Sequence, residues 1–149
     1  ALSTSWWSHR LDEVLPVGVK RPRSIVLACQ RRAGSVDELP GNGRRALGLI
    51  RFRCVGQLQT GMLLQLIARG APRVLVAGCR ADRCRFCEGS KIADEQARMA
   101  REVLTQIGED PERIQSDWSE NRARDRLDTA VEKFRTRRIK RKKPREVAR

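Results

Sequence analysis

The sequence predicts a single α/β domain, with a mainly parallel four-stranded sheet, flanking helices, and cysteines at the carboxyl edge of the strands. Two observations support this fold class. Short apolar runs that suit buried strands alternate along the chain with segments whose apolar residues recur at helical spacing, which is the order of elements in parallel α/β proteins. The chain also has 149 residues, enough to bury the core of one ordinary domain.

The four predicted strands are short. The run SIVLAC, residues 24–29, is apolar almost throughout and suits a buried strand. The segment LGLIRFRC, residues 47–54, alternates near its end, and PRVLVAGC, residues 72–79, is the third strand. RIQSDW, residues 113–118, is a weaker fourth strand. Helices between these strands would allow them to lie parallel.

Helices are predicted over residues 58–70 and 91–107, each ending at a glycine, and around residue 130. Residues 30–46 are predicted as a loop. The apolar faces of the three helices consist of Met62, Leu63, Leu66 and Ile67 in the first, Ile92, Met99, Val103 and Ile107 in the second, and Leu127, Ala130, Val131 and Phe134 in the third.

Two extensions flank the predicted domain, which covers residues 23–134. Residues 1–22 have no sustained period and are predicted to be an arm, whose Trp6 and Trp7 either pack back onto the domain or anchor it to a partner. Residues 135–149 form a basic tail with nine Lys or Arg and one Glu, so the tail supplies +8 of the net charge of +14. Such a tail is either a solvated segment or a docking arm for an acidic protein. Nucleic-acid binding is less supported, because the tail contains no aromatic residue on which bases could stack.

The composition excludes several classes of protein. No apolar run approaches the roughly 20 residues of a membrane span, and the first residues lack a signal-peptide pattern, so we expect a cytoplasmic protein. Five cysteines in a reducing compartment indicate metal or redox chemistry. The only histidine, His9, lies in the arm, and no phosphate-binding glycine motif follows a strand. We therefore expect no catalytic residues and no small-molecule substrate.

The cysteines are expected to meet at one edge of the sheet. Cys29, Cys54 and Cys79 each stand at the carboxyl end of a predicted strand, and Cys84 and Cys87 lie in the loop after the third strand. In open parallel sheets that edge is where ligands bind. All five thiols could meet there.

The spacing of three of these cysteines indicates the kind of metal. Cys79, Cys84 and Cys87 form the C-x4-C-x2-C pattern of plant-type [2Fe–2S] ferredoxins, which a distant fourth cysteine completes. Structural zinc sites usually pair two short knuckles, whereas the remaining thiols here are solitary, so zinc is the alternative. Gly78 and Gly89 would let backbone N–H groups approach the sulfur atoms.

The segments RFRCVGQL, RGAPRVLVAGC and DRCRFCEGS, with ERI before Trp118 and a helix ending in EKF, together resemble the methyl-viologen-reducing hydrogenase delta-subunit family. The resemblance runs from about Ser24 to Phe134. Its members are small iron–sulfur subunits associated with hydrogenases, formate dehydrogenases and heterodisulfide-reductase-like flavoproteins. The resemblance therefore implies a [2Fe–2S] cluster that relays electrons between larger subunits of a flavin/iron–sulfur oxidoreductase complex.

By position, Cys29, Cys54, Cys79 and Cys84 match cysteines of the family that this chain resembles. The sequence departs from the family pattern at four positions. Arg32 replaces a usual cysteine, Gln57 a usual arginine and Arg85 a usual histidine, and Cys87 is additional. Some relatives of this fold hold zinc, so a zinc-stabilised adaptor that binds an acidic protein or nucleic acid is the alternative function. The favoured ligands are Cys54, Cys79, Cys84 and Cys87, with Cys29 as the alternative fourth ligand, because Cys29 lacks the partner that the family places at residue 32.

Overall fold

The computed structural model describes residues 2–37, 47–80 and 84–118, together with Glu132, Phe134 and Thr136. Four strands form one sheet: β1 (Ser24–Cys29), β2 (Leu47–Phe52), β3 (Val74–Ala77) and β4 (Ile114–Asp117). Their order across the sheet is β2-β1-β3-β4, and all three neighbouring pairs are parallel. The predicted fold class is confirmed, and the predicted strands end within two residues of the observed ones.

Four helices belong to the described residues: α1 (Thr4–Val14), α2 (Gln30–Asp37), α3 (Thr60–Ala68) and α4 (Gly89–Ile107). Short 3₁₀ turns cover Val55–Gln57 and Pro111–Arg113. The predictions of α3 and α4 are confirmed, whereas α1 and α2 occupy segments that were expected to be an arm and a loop. None of the helices in the described ranges is long and apolar enough to cross a membrane.

Both faces of the sheet are covered, which explains why the strands are apolar at successive positions. Ile25 and Leu27 of β1 belong to the core on the side of α1, α3 and α4. Val26 and Ala28 face the other side, where they pack with the fully buried Phe134. Glu132, Phe134 and Thr136 are helical, as predicted for the last helix, and the rest of that predicted helix lies outside the described residues.

Residues 4–14, which lie in the predicted arm, form helix α1 and pack into the core of the domain. Ser3 caps this helix by accepting a hydrogen bond from the Trp6 N–H. Trp7 is buried, and its indole N–H donates to Gln65 Oε1 at 2.5 Å. The rings of Trp6 and Phe52 meet edge to face with centroids 5.5 Å apart. Of the two interpretations of the tryptophans, packing back onto the domain is the one observed.

Helix α4 buries a different face from the one predicted. The stripe that contacts the core consists of Ala93, Ala97, Ala100 and Leu104. Ile92 and Ile107, which were expected to be buried, are 45% and 61% exposed. Small side chains allow a helix to approach its neighbours closely, and a periodic pattern of large apolar residues does not reveal such a stripe. The prediction of this face is wrong, although that of the helix is right.

Candidate metal centre

At the centre of the sheet, between β1 and β3, the order in which the strands are added reverses its direction. Strands β1 and β3 are neighbours, but the helix after β1 covers one face of the sheet and the helix after β3 covers the other. Such a switch point opens a crevice at the carboxyl ends of the two strands. Cys29 is the last residue of β1, and Cys79 follows β3. Both are buried, and their Sγ atoms are 3.5 Å apart.

Cys54 enters the same region from β2. It caps the 3₁₀ turn Val55–Gln57, and its Sγ accepts a hydrogen bond from the Gly56 N–H at 3.4 Å. Cys84 lies five residues before the first helical residue of α4. Cys54 and Cys84 are both half-buried, and their thiols share a hydrogen bond. The four sulfurs therefore form two pairs.

Two glycines make room for the second pair. A Cβ atom on Gly89 would lie 2.3 Å from Cys54 Sγ and 3.2 Å from Cys84 Sγ. A Cβ on Gly56 would lie 2.8 Å from the Cα of Gly89. Carbon atoms in ordinary contact are about 3.5–4.0 Å apart. The 3₁₀ turn and the start of α4 can therefore meet, with two sulfurs beside them, only because both positions lack a side chain.

The electrostatics of Cys84 favour a thiolate. Burial alone would raise the pKa of its thiol, but backbone N–H groups of Phe86, Gly89 and Ser90 donate to the sulfur, and the pKa is lowered below its usual value of 9.0. The last two donors belong to the first turn of α4, where the helix dipole also favours negative charge. Cys84 is thus prepared to bind a cation.

Burial disfavours the thiolate form of Cys79 and Cys54. Burial raises the pKa of Cys79 to about 12, and its hydrogen bond with the Cys29 thiol acts in the same direction. Burial also raises the pKa of Cys54, partly offset by the Gly56 N–H. A metal would have to displace these protons, so its binding should release acid.

The backbone around Cys79 is positioned by packing. The Ser90 hydroxyl donates to the Cys79 carbonyl. A Cβ on Gly78 would lie 2.6 Å from the Trp118 ring and 2.8 Å from Val55 Cγ2. The Trp118 indole in turn donates to Asp94 Oδ1 at 3.0 Å. The sequence indicates Gly78 and Gly89 as positions where the backbone can approach sulfur. It does not single out Gly56 and Ser90, although VGQ and EGS place them next to the cysteine segments.

A cleft of about 410 Å³, partly open to solvent, contains the four sulfurs. Its lining residues are Cys29, Gln30, Arg31, Arg53, Cys54, Cys79, Cys84, Arg85 and Phe86. Cys87 is exposed and does not line it. The structure therefore brings four of the five cysteines together, and the expectation that all five meet is wrong for Cys87.

The residue at the family's missing cysteine has a structural role. Arg32 is buried, and its guanidinium pairs with Asp117 at 2.7 Å, which ties α2 to the end of β4. Its Nε has no hydrogen-bond partner among the described residues. This position cannot supply a thiol, but Cys29 has a sulfur neighbour in Cys79.

Residues 25–141 match the family described as methyl-viologen-reducing hydrogenase, delta subunit. The chain belongs to this family. Among the delta-subunit relatives, the iron-sulfur subunit of the F420-non-reducing hydrogenase of Archaeoglobus profundus is 25% identical over 101 residues, 65% of this chain and 74% of that protein. The vhu iron-sulfur subunit of the same kind of hydrogenase in Methanopyrus kandleri is 26% identical over 117 residues, 74% of this chain and 89% of that protein.

The family domain also occurs within a much longer protein. A subunit of the Ferredoxin/F(420)H(2)-dependent CoB-CoM heterodisulfide reductase of Methanosarcina acetivorans is 31% identical over 117 residues. That match covers 76% of this chain but only 15% of the relative. The family domain is therefore found both as most of a small iron–sulfur protein and as a minor part of a large redox protein.

Proposed function

We propose that this protein is an electron-transfer subunit that holds one [2Fe–2S] cluster and relays electrons between larger subunits of a flavin/iron–sulfur oxidoreductase complex. The observation that carries the proposal is the arrangement of four thiols as two pairs in one cleft. A [2Fe–2S] cluster takes two cysteine ligands on each iron. Family membership supports the same assignment, since relatives are named as iron-sulfur subunits of hydrogenases.

The proposed ligands are Cys29 with Cys79 and Cys54 with Cys84. Two thiolates on one tetrahedral metal with bonds of about 2.3 Å lie about 3.8 Å apart, close to the 3.5 Å between Cys29 and Cys79. This set replaces the one favoured by linear spacing, which used Cys87 in place of Cys29. Cys87 is exposed outside the cleft, whereas Cys29 is buried in it.

The residues of this chain prepare the site in three ways. The core keeps Cys29 and Cys79 away from water. Backbone N–H groups point at the sulfurs of Cys54 and Cys84, and such hydrogen bonds control the reduction potential of iron–sulfur centres. Gly89 keeps open the space that these two sulfurs need. When bound, the cluster would supply one-electron transfer.

A zinc ion on the same cysteines is the competing assignment. Structural zinc requires four ligands around one point. The four thiols instead line one cleft as two pairs, Cys29 with Cys79 and Cys54 with Cys84. Paired thiols therefore support a two-iron cluster over zinc.

The test is chemical analysis of the protein purified without oxygen. We expect about two irons and two sulfides per chain, with visible absorption that bleaches on reduction. Cys29→Ser, Cys54→Ser, Cys79→Ser and Cys84→Ser should each lose most of the iron, whereas Cys87→Ser is the matched control and should retain it. Stoichiometric zinc without sulfide would overturn the proposed function, and retention in Cys29→Ser with loss in Cys87→Ser would overturn the ligand set.

A further inference from the structure

The mouth of the cysteine cleft is cationic. Arg31, Arg53 and Arg85 line it, and no acidic residue is among the described residues that do so. These arginines follow β1, β2 and β3, respectively, and are far apart in the sequence. The parallel topology collects them at one edge, because each follows the carboxyl end of a strand. All three are exposed.

Two of these arginines differ in their pairing from several other described arginines. Arg10, Arg69, Arg98 and Arg113 form ion pairs with carboxylates on the surface. Within the described part of the chain, neither Arg53 nor Arg85 has a carboxylate partner. Their charges are therefore available to an external anion or acidic surface.

An aromatic side chain stands among these charges. Phe86 is 48% exposed and lines the cleft beside Arg85. A tight turn holds its segment: the Cys87 N–H donates to the Cys84 carbonyl at 3.0 Å, and Cys87 has a left-handed φ of 58°. Arginine and aromatic residues are the types enriched at the centres of protein interfaces.

We propose that this mouth, defined by Arg53, Arg85 and Phe86, is the docking surface for an acidic redox protein that exchanges electrons with the cysteine centre. The inference rests on the proposed function. Carboxylates around the partner's own cofactor would pair with the two arginines, and Phe86 would be covered on contact. Docking here brings the partner to the open side of the cleft that the four cysteines line. Opposite charges would also steer the encounter.

Stopped-flow electron exchange with a reduced plant-type ferredoxin, a small acidic one-electron carrier, tests the surface. The variant Arg53→Glu/Arg85→Glu is compared with Lys20→Glu/Arg21→Glu, which has the same net charge but changes exposed residues before β1, at the opposite edge of the sheet. Steering raises association rates about 10- to 1,000-fold, so we expect the first variant to react at least about tenfold more slowly at about 20 mM salt. The control should change less than about twofold, and the difference should shrink at about 500 mM salt, where charges are screened.

A second measurement separates this inference from the proposed function. Binding of immobilised ferredoxin is read by interferometry and does not require a cluster. If the purified protein lacks visible absorption, the proposed function fails, while weaker binding of the Arg53→Glu/Arg85→Glu variant alone would still support the surface. Phe86→Ala should weaken binding several-fold at both salt concentrations. Equal losses in both charge variants, or binding of inorganic phosphate at the mouth with no effect on ferredoxin, would overturn the inference.

Discussion

Gly89 offers the sharpest test of how the second thiol pair is positioned. Replacing this residue by alanine adds a methyl group 2.3 Å from Cys54 Sγ, about 1.2 Å closer than ordinary contact allows. In a helix, Gly→Ala normally stabilises by about 0.5–1 kcal/mol. Overpacking of a tight site costs about 1–3 kcal/mol. We expect a net loss of about 1–2 kcal/mol in the metal-free protein.

The effect on metal binding should be larger than the effect on folding. Metal–ligand distances tolerate deviations of about 0.2 Å, whereas relieving this contact must move Cys54, Cys84 or the α4 backbone by several times that distance. Gly89→Ala should therefore lose most of its iron while remaining folded. The measurements are iron per chain by elemental analysis and the free energy of unfolding in urea.

Gly61 in α3 supplies the matched control. It receives the same substitution near the start of a helix, but a Cβ there meets nothing within 4 Å. Gly61→Ala should keep its iron and become more stable by about 0.4–1 kcal/mol. If Gly89→Ala held as much iron as Gly61→Ala, the argument that this glycine makes room for the sulfurs would be refuted.

Four further predictions concern folding and thiol chemistry. Arg32→Ala should lower the unfolding free energy in urea by about 1.5–3 kcal/mol, because it removes a buried guanidinium from its ion pair with the partly buried Asp117 carboxylate. Arg98→Ala breaks only exposed ion pairs and should leave the stability almost unchanged. Trp7→Ala should lower the unfolding free energy by about 3–5 kcal/mol, because the Trp7 ring is part of the core. A change below about 1 kcal/mol would favour the interpretation of this segment as an arm that anchors the protein to a partner. In metal-free protein near pH 8, iodoacetamide should modify Cys84 before Cys79, as mapped by mass spectrometry, because the pKa of Cys84 is lowered and that of Cys79 is raised to about 12. Equal labelling of both thiols would contradict these two pKa shifts. The raised pKa of Cys79 should also make the folded protein less stable as the pH rises from 9 toward 12.

The sequence predicted the parts of the fold that depend on periodic apolar pattern. Strands β1, β2 and β3 are mostly buried and apolar at successive positions, which predicts them clearly, whereas β4 has one buried apolar residue and is the weaker prediction. A run of apolar residues at helical spacing that ends at Gly108 predicts α4. Helix α2 was missed because QRRAGSVD has no apolar stripe. Helix α1 was missed because only Trp7, Leu11 and Val14 mark its buried side, between polar residues. Tertiary packing, which no local pattern reports, decides both elements.

The ligand question shows the same limit at the level of single atoms. The C-x4-C-x2-C spacing favours Cys87, because spacing treats the loop as able to present all its thiols to one point. In the fold, the chain must turn between Cys84 and Gly89 to begin α4, and residue 87 takes a left-handed conformation in that turn, with its side chain exposed. Cys29 lies in the cleft because of the strand order. Strand β1 is adjacent to β3, and Cys29, the last residue of β1, contacts Cys79 at the switch point. Strand order, which the sequence did not disclose, therefore decides which cysteines line the cleft, and this supports Cys29 as a proposed ligand.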